Sequence, residues 1–147
     1  MSLPLLLASS SAYRKQLLEK LQLPFTCASP DIDELILPSE DARAYVERLA
    51  IEKAKALQSD FSKHIIIGSD QCAVLDINGQ QRILGKPHTL ENAVQQLKDC
   101  SGKKVTFLTG LCCFNSHTKK TLSIVEPFIV HFRELTDAQI RRYIEQE

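Results

Sequence analysis

Neither sign of charge predominates in this sequence: 18 basic residues stand against 18 acidic ones in 147. A long basic stripe is missing, which argues against nucleic acid or a membrane surface as partner. Long apolar runs are missing too. The one near the start, Leu3 to Ala8, is too short for a membrane span and lacks the basic start of a signal peptide. A cytoplasmic protein is expected. There is no CxxC pair: Cys27, Cys72, Cys100, Cys112 and Cys113 are scattered, and the adjacent last two would point to opposite faces of a strand. His64, His88, His117 and His131 show no ligand spacing either. The cysteines are read as reduced and mostly buried. With no repeats, low-complexity tract or linker, one domain over 1–147 is expected. Its content of 44% apolar and 24% charged residues is ordinary for a globular chain, and at this length roughly 68–70% of the unfolded surface is buried on folding.

The stretch that organises the chain is Ile65-Ile66-Ile67-Gly68-Ser69-Asp70-Gln71. Three β-branched residues predict a strand buried on both faces, running into a glycine and then an aspartate. Open α/β sheets bind ligands just beyond the carboxyl ends of such strands, and a strand tip holds a catalytic carboxylate rigidly. The alternative is that Asp70 merely caps a turn.

The same strand-then-polar arrangement opens the chain. Leu3 to Ala8 predicts a short buried strand, and Ser9-Ser10-Ser11 offers three N-caps for a helix to about Leu21 with Tyr13, Leu17, Leu18 and Leu21 as its apolar stripe. Arg14 and Lys15 fall in the first turn, where the helix dipole disfavours positive charge by a few tenths of a kcal/mol. That placement suits an anion: hydroxyls, free backbone N–H groups and a fork-shaped arginine make a phosphate cradle, although a plain serine cap reads the same way. Phe25 to Ala28 predicts a second strand. The acidic loop Asp31-Ile32-Asp33-Glu34 after Pro30 is either solvated surface or a source of carboxylate oxygens for Mg²⁺ or Mn²⁺.

Ser39 is expected to cap the next helix, with Glu40 and Asp41 complementing its dipole. Its inward face is Ala42, Tyr45, Val46, Leu49, Ala50, Ala54 and Leu57. Lys53 falls on that same face, so its ammonium either snorkels out or meets a negative partner, including a substrate phosphate. Asn78-Gly79 predicts a type I′ hairpin leading to Gly85-Lys86-Pro87, where a lysine sits on a defined loop without the spacing of a P-loop. Thr89 caps a helix to about Cys100, ended by Ser101-Gly102. Val105 to Phe114 and Leu122 to Phe132 read as an antiparallel pair, with Pro127 marking a bulge or an edge. Thr136-x-x-Gln139 is a capping box for a last helix with Ile140, Tyr143 and Ile144 on its apolar face.

ASSSAYRKQLLEKL, SPDIDE, RLAIEKA, IIIGSDQ, ILGKP and the VTFLTGL run, in this order and spacing, resemble the Maf family of nucleotide pyrophosphatases over essentially the whole chain. The resemblance implies an α/β, ITPase-like fold with an elongated mixed β-sheet flanked by helices. It also implies a homodimer and hydrolysis of a nucleoside triphosphate to the monophosphate and pyrophosphate with a divalent metal, Mg²⁺ or Mn²⁺. Asp70 falls on the family's catalytic aspartate, and Ser9, Arg14, Glu34, Lys53 and Lys86 fall on its other polar motif positions. Ser9, Arg14, Lys53 and Lys86 are the expected phosphate ligands; Glu34 and Asp70 are the expected metal ligands. Where the dTTP/UTP branch typically has an arginine, and a threonine after the aspartate, this chain has Tyr13 and Gln71. That pair resembles the branch acting on 7-methyl-GTP, whose positively charged base suits an aromatic face. Family members extend further, including a Lys-Ala-Gly segment that this sequence lacks. A C-terminally shortened form is therefore expected, with a dTTP/UTP enzyme or a catalytically weak nucleotide-binding protein as alternatives.

Overall fold

The computed structural model describes residues 3–85 and 89–145, so Lys86 lies outside the described residues. The elements are β1 (Leu5–Ala8), α1 (Ala12–Glu19), β2 (Phe25–Ala28), α2 (Ala42–Lys55), β3 (Ile65–Ile77), β4 (Gln80–Leu84), α3 (Leu90–Cys100), β5 (Lys104–Asn115), β6 (Lys120–His131) and α4 (Asp137–Glu145). The strands form one sheet in the order β2-β1-β3-β5-β6, and β4 pairs with β3. β1 is parallel to both β2 and β3, while β3 and β4 are antiparallel. The expected mixed α/β sheet is therefore present. Among the described residues no helix is long and apolar enough to cross a membrane.

The chain divides into two compact units, Met1–Gln71 with Thr109–Glu126, and Cys72–Leu108 with Pro127–Glu147. The first is built on α2. Its core gathers Leu6, Ala8, Ala50, Ala54, Ile66, Cys112 and Phe114. Glycines on the strands admit the helix backbone: a Cβ at Gly68 would lie 2.2 Å from the Ala50 carbonyl oxygen, and one at Gly110 2.3 Å from that of Val46. The helix backbone thus rests directly on β3 and β5, closer than any side chain permits.

Two expectations about helices change. The cap of α2 is Asp41, whose side chain accepts from the Ala44 N–H. Ser39 takes a left-handed φ of 66° instead, and Glu40 is bound to Arg48. α1 stops at Glu19 because the chain tightens into i→i+3 turns through Gln22, which has φ 58°. No residue of α1 is fully buried, so the expected apolar stripe is largely exposed.

The second unit has its own core of Leu75, Cys100 and Val105 with Ala73, Ile77, Leu84, Phe107 and Phe132 packed against it. Asn78 and Gly79 have φ of 52° and 82°, and Ile77 pairs with Gln80, as a type I′ hairpin requires. Thr89 caps α3 by accepting from the Asn92 N–H. The capping box of α4 is reciprocal: the Thr136 N–H donates to Gln139 and the Gln139 N–H to Thr136. Ile140 is buried, whereas Tyr143 is exposed. β5 and β6 are neighbours joined by a four-residue turn, a connection available only to antiparallel strands, and Pro127 lies on the edge strand, where no ladder bond is lost.

Cys72, Cys100 and Cys112 are buried and Cys27 and Cys113 exposed, all as free thiols. Burial raises the Cys100 thiol and lifts Cys112 to about 11, so both stay protonated and unreactive near neutral pH. Alkylation of the native protein at pH 8 should modify Cys27 and Cys113 first, with Cys100 and Cys112 reacting only on unfolding. Mass mapping showing early modification of Cys112 would contradict this burial.

Candidate functional site

β3 does not stop at Gly68. It continues to Ile77, so Asp70 stands in mid-strand rather than at a strand end. The pairing around it is nevertheless interrupted. β1 accompanies β3 only along Ile65–Ile67, and β4 joins on from Ala73. On that edge, among the described residues, the pairing with β1 does not extend over Gly68 to Gln71. The parallel part of the sheet does end there, at the carboxyl end of β1. Ligands of open α/β sheets bind beyond the carboxyl ends of such parallel strands.

The residues after β1 turn back to this gap. Ser9 is buried, and its hydroxyl accepts from the Ser11 N–H at 3.0 Å. Ser11 is the cap, accepting from the Arg14 N–H at 3.2 Å. Arg14 then reaches the open edge of β3, where its guanidinium donates to the Ser69 carbonyl at 3.2 Å. Ser69 in turn donates to the Gly110 carbonyl at 3.0 Å. A serine turn, a helix N-terminus and an anchored arginine therefore meet beside Asp70.

Lys53 resolves the conflict evident in its sequence position. Its ammonium lies 2.8 Å from an oxygen of Asp70 and 3.0 Å from one of Glu34. The Lys53 and Asp70 side chains keep only 13% and 11% of their exposure, while Glu34 keeps 54%. Its partner in this structure is thus carboxylate, not solvent. The geometry follows from the glycine contact: Gly68 and Asp70 project from the same face of β3, and α2 rests on that face, so Lys53 is brought over Asp70. The three groups sum to one net negative charge, so a triphosphate would be repelled unless further cations accompany it.

Two carboxylate oxygens converging on one cationic centre fit a hard divalent ion. Among the described residues no three His, Cys, Asp or Glu side chains gather in one place. Mg²⁺ typically takes one or two carboxylates, with substrate phosphates and waters completing its shell, and Asp70 with Glu34 offers that number.

Neither of the two expected specificity residues takes part in the Lys53 ion pairs. Strand alternation persists through β3, so Gln71 projects to the face opposite Asp70, where its amide donates to the Thr109 hydroxyl at 3.0 Å. Tyr13, expected to pack with Leu17, is 68% exposed at the start of α1. The acidic loop carrying Glu34 has neither helix nor strand in 31–37 and is held from α2 by Tyr45 and Arg48. Neither hold is visible in the sequence: helical periodicity places Tyr45 on the inward face, and Arg48 is simply the first residue of RLAIEKA. Bonds to loop carbonyls leave no trace in periodicity.

A family model described as "Maf-like protein" matches residues 4–147, through both compact units. A "7-methyl-GTP pyrophosphatase" of Pseudomonas fluorescens is 58% identical over 99% of this chain and 73% of its own length. Proteins of the same name from Pseudomonas aeruginosa and Colwellia psychrerythraea are 55% and 53% identical, each over 97% of this chain and over 72% and 70% of their own lengths. Among solved structures, the Ham1 protein of Staphylococcus aureus superposes with a TM-score of 0.58 at 15% identity, over 87% of this chain and 71% of that one, a likeness of fold.

Proposed function

This chain belongs to the Maf family, and we propose that it is a nucleotide pyrophosphatase that hydrolyses 7-methyl-GTP to 7-methyl-GMP and pyrophosphate. The observation carrying this reading is the part-buried Lys53–Asp70 pair beside the open edge of β3, with Glu34 on the same ammonium and the serine turn alongside. Water attacks the α-phosphorus, the bond to the bridging oxygen breaks, and pyrophosphate leaves. Asp70 is the group that can accept the proton of that water or organise a cation. Arg14, Lys53 and Lys86 neutralise the phosphates, and the Ser9–Ser11 turn supplies hydroxyl and backbone N–H donors. Asp70 and Glu34 would hold a Mg²⁺ or Mn²⁺ ion, which supplies charge neutralisation at the phosphates and a more acidic water. We assign the activity to the cytoplasm and to a homodimer, the assembly that the family resemblance implies.

Base choice is assigned to Tyr13 and Gln71. An exposed ring at the start of α1 is available for stacking, which contributes ~1–3 kcal/mol per base, and a positively charged methylguanine adds cation–π attraction. Gln71 can join from the opposite face because a ligand lying along the open edge of β3 is flanked by side chains of both faces. Pyrophosphate release should be measured over a panel of 7-methyl-GTP, GTP, dTTP and UTP with Mg²⁺, Mn²⁺ and chelator. We expect 7-methyl-GTP to be turned over best, and only with metal. In Tyr13→Ala its KM should rise about tenfold or more, with dTTP less affected. Tyr13→Arg with Gln71→Thr should shift preference toward dTTP or UTP. A folded double variant that keeps the parent's ranking would remove these residues from specificity. A parent chain that binds nucleotides and releases no pyrophosphate would make it a binding protein.

A further inference from the structure

Glu34 is the least anchored of the three charged groups Lys53, Asp70 and Glu34. It stands on a coil segment, with more than half of its side chain exposed, and a carboxylate on a loop keeps a productive geometry only if its backbone is fixed by neighbouring groups. The fixing groups come from α2. The Tyr45 hydroxyl donates to the Glu34 carbonyl at 2.5 Å, and an Arg48 N–H donates to the next carbonyl, that of Leu35, at 2.8 Å. Holding two successive carbonyls fixes the peptide plane between them, and with it the direction in which the Glu34 side chain leaves.

Arg48 is in turn over-determined. Its guanidinium grips Glu40 with two bonds, at 2.6 and 3.0 Å, and Glu52 with a third at 2.7 Å. It lies 5.7 Å from the centre of the Tyr45 ring. Glu40 accepts from the Leu37 N–H, so both ends of the loop segment close onto the same guanidinium. The Arg48 bonds hold the Glu40 carboxyl below its usual range, which keeps it ionised. A lysine cannot reproduce a planar fork with four such bonds.

We propose that Tyr45 and Arg48 are positioning residues for the reaction: they clamp the acidic loop so that Glu34 meets Lys53 opposite Asp70. The catalytic half of this inference rests on the pyrophosphatase reading. It differs from a simple stabilising role, because a clamp that works through Glu34 becomes irrelevant once Glu34 is removed.

A double-mutant cycle with a separate structural readout tests it. Tyr45→Phe keeps the ring and loses only the donor; Arg48→Met keeps much of the length and loses the fork. Each should lower kcat for 7-methyl-GTP about tenfold, as sub-ångström misplacement of a catalytic group can, with little change in KM. In a Glu34→Gln background the same changes should cost less than about twofold more. Amide exchange at Leu35 and Leu37 should quicken about tenfold in Arg48→Met, while that of α2 is unchanged. Full additivity of the kcat losses would overturn the positioning role and leave a stability effect. Unchanged exchange in the loop would overturn the clamp itself. Absence of turnover in the parent chain would sink the pyrophosphatase reading together with the catalytic half, while exchange would still decide the clamp.

Discussion

Replacing Asp70 by asparagine is expected to lower turnover of 7-methyl-GTP by ~10² or more, the usual cost of losing a general base or the group that organises a metal. The substitution preserves size and polarity in a site where the side chain keeps only 11% of its exposure. Lys53 keeps Glu34 as its partner at 3.0 Å, so its ammonium is not stranded without a counter-charge, a situation that would cost several kcal/mol. The loss should therefore appear in kcat, with a modest change in unfolding midpoint. The two roles open to Asp70 separate in the same experiment. If the carboxylate is chiefly a metal ligand, the metal concentration for half-activation rises in the variant; if it is chiefly the base, that concentration stays put while kcat falls. Turnover within about threefold of the parent would exclude Asp70 from the mechanism.

The largest effect on stability is expected at Gly68. An alanine there puts its methyl carbon 2.2 Å from the Ala50 carbonyl oxygen and 2.7 Å from the Ala54 nitrogen. Both are backbone atoms of α2, so no side-chain rotation relieves the contact and the helix must lift from the sheet. Overpacking of this kind costs on the order of 3 kcal/mol or more, roughly 6–12 °C in Tm for a chain of this size. Because α2 also carries Lys53, the same displacement should lower activity in whatever fraction still folds. Gly85→Ala is the control: among the described residues nothing lies within 4 Å of a Cβ there, and its stability should stay within about 0.5 kcal/mol of the parent. Equal melting temperatures for Gly68→Ala and Gly85→Ala would refute the close approach of α2 to β3.

Features that depend on a few adjacent residues were legible from the sequence alone. The Asn78-Gly79 hairpin, the Thr89 cap and the Thr136–Gln139 capping box stand where the sequence places them, because each is closed by bonds within three or four residues. Arg14 and Lys53 stood out as charges in positions that a helix dipole or packing alone does not favour, and Asp70 as a carboxylate following a buried strand, whereas Glu34 was singled out by the family resemblance. The 3.6-residue periodicity turned Lys53 inward, where it could snorkel out or meet a negative partner. Which partner it meets could not be read, because Asp70 is 17 residues away and Glu34 approaches from the other side in sequence.

Tertiary structure decided the rest. Gly68 looked like the end of a strand; it is the place where a helix backbone lies against one that continues to Ile77. The cap expected at Ser39 falls instead on Asp41, because Ser39 takes a left-handed backbone. Tyr13 and Leu17 carried a helical apolar period that no core covers, and the hold of Tyr45 and Arg48 on the acidic loop spans 11 and 13 residues. Local bonds are specified by the few residues that make them. A non-local bond depends on where the whole intervening chain comes to rest, and its donor and acceptor carry no mark of each other until the core has brought them together.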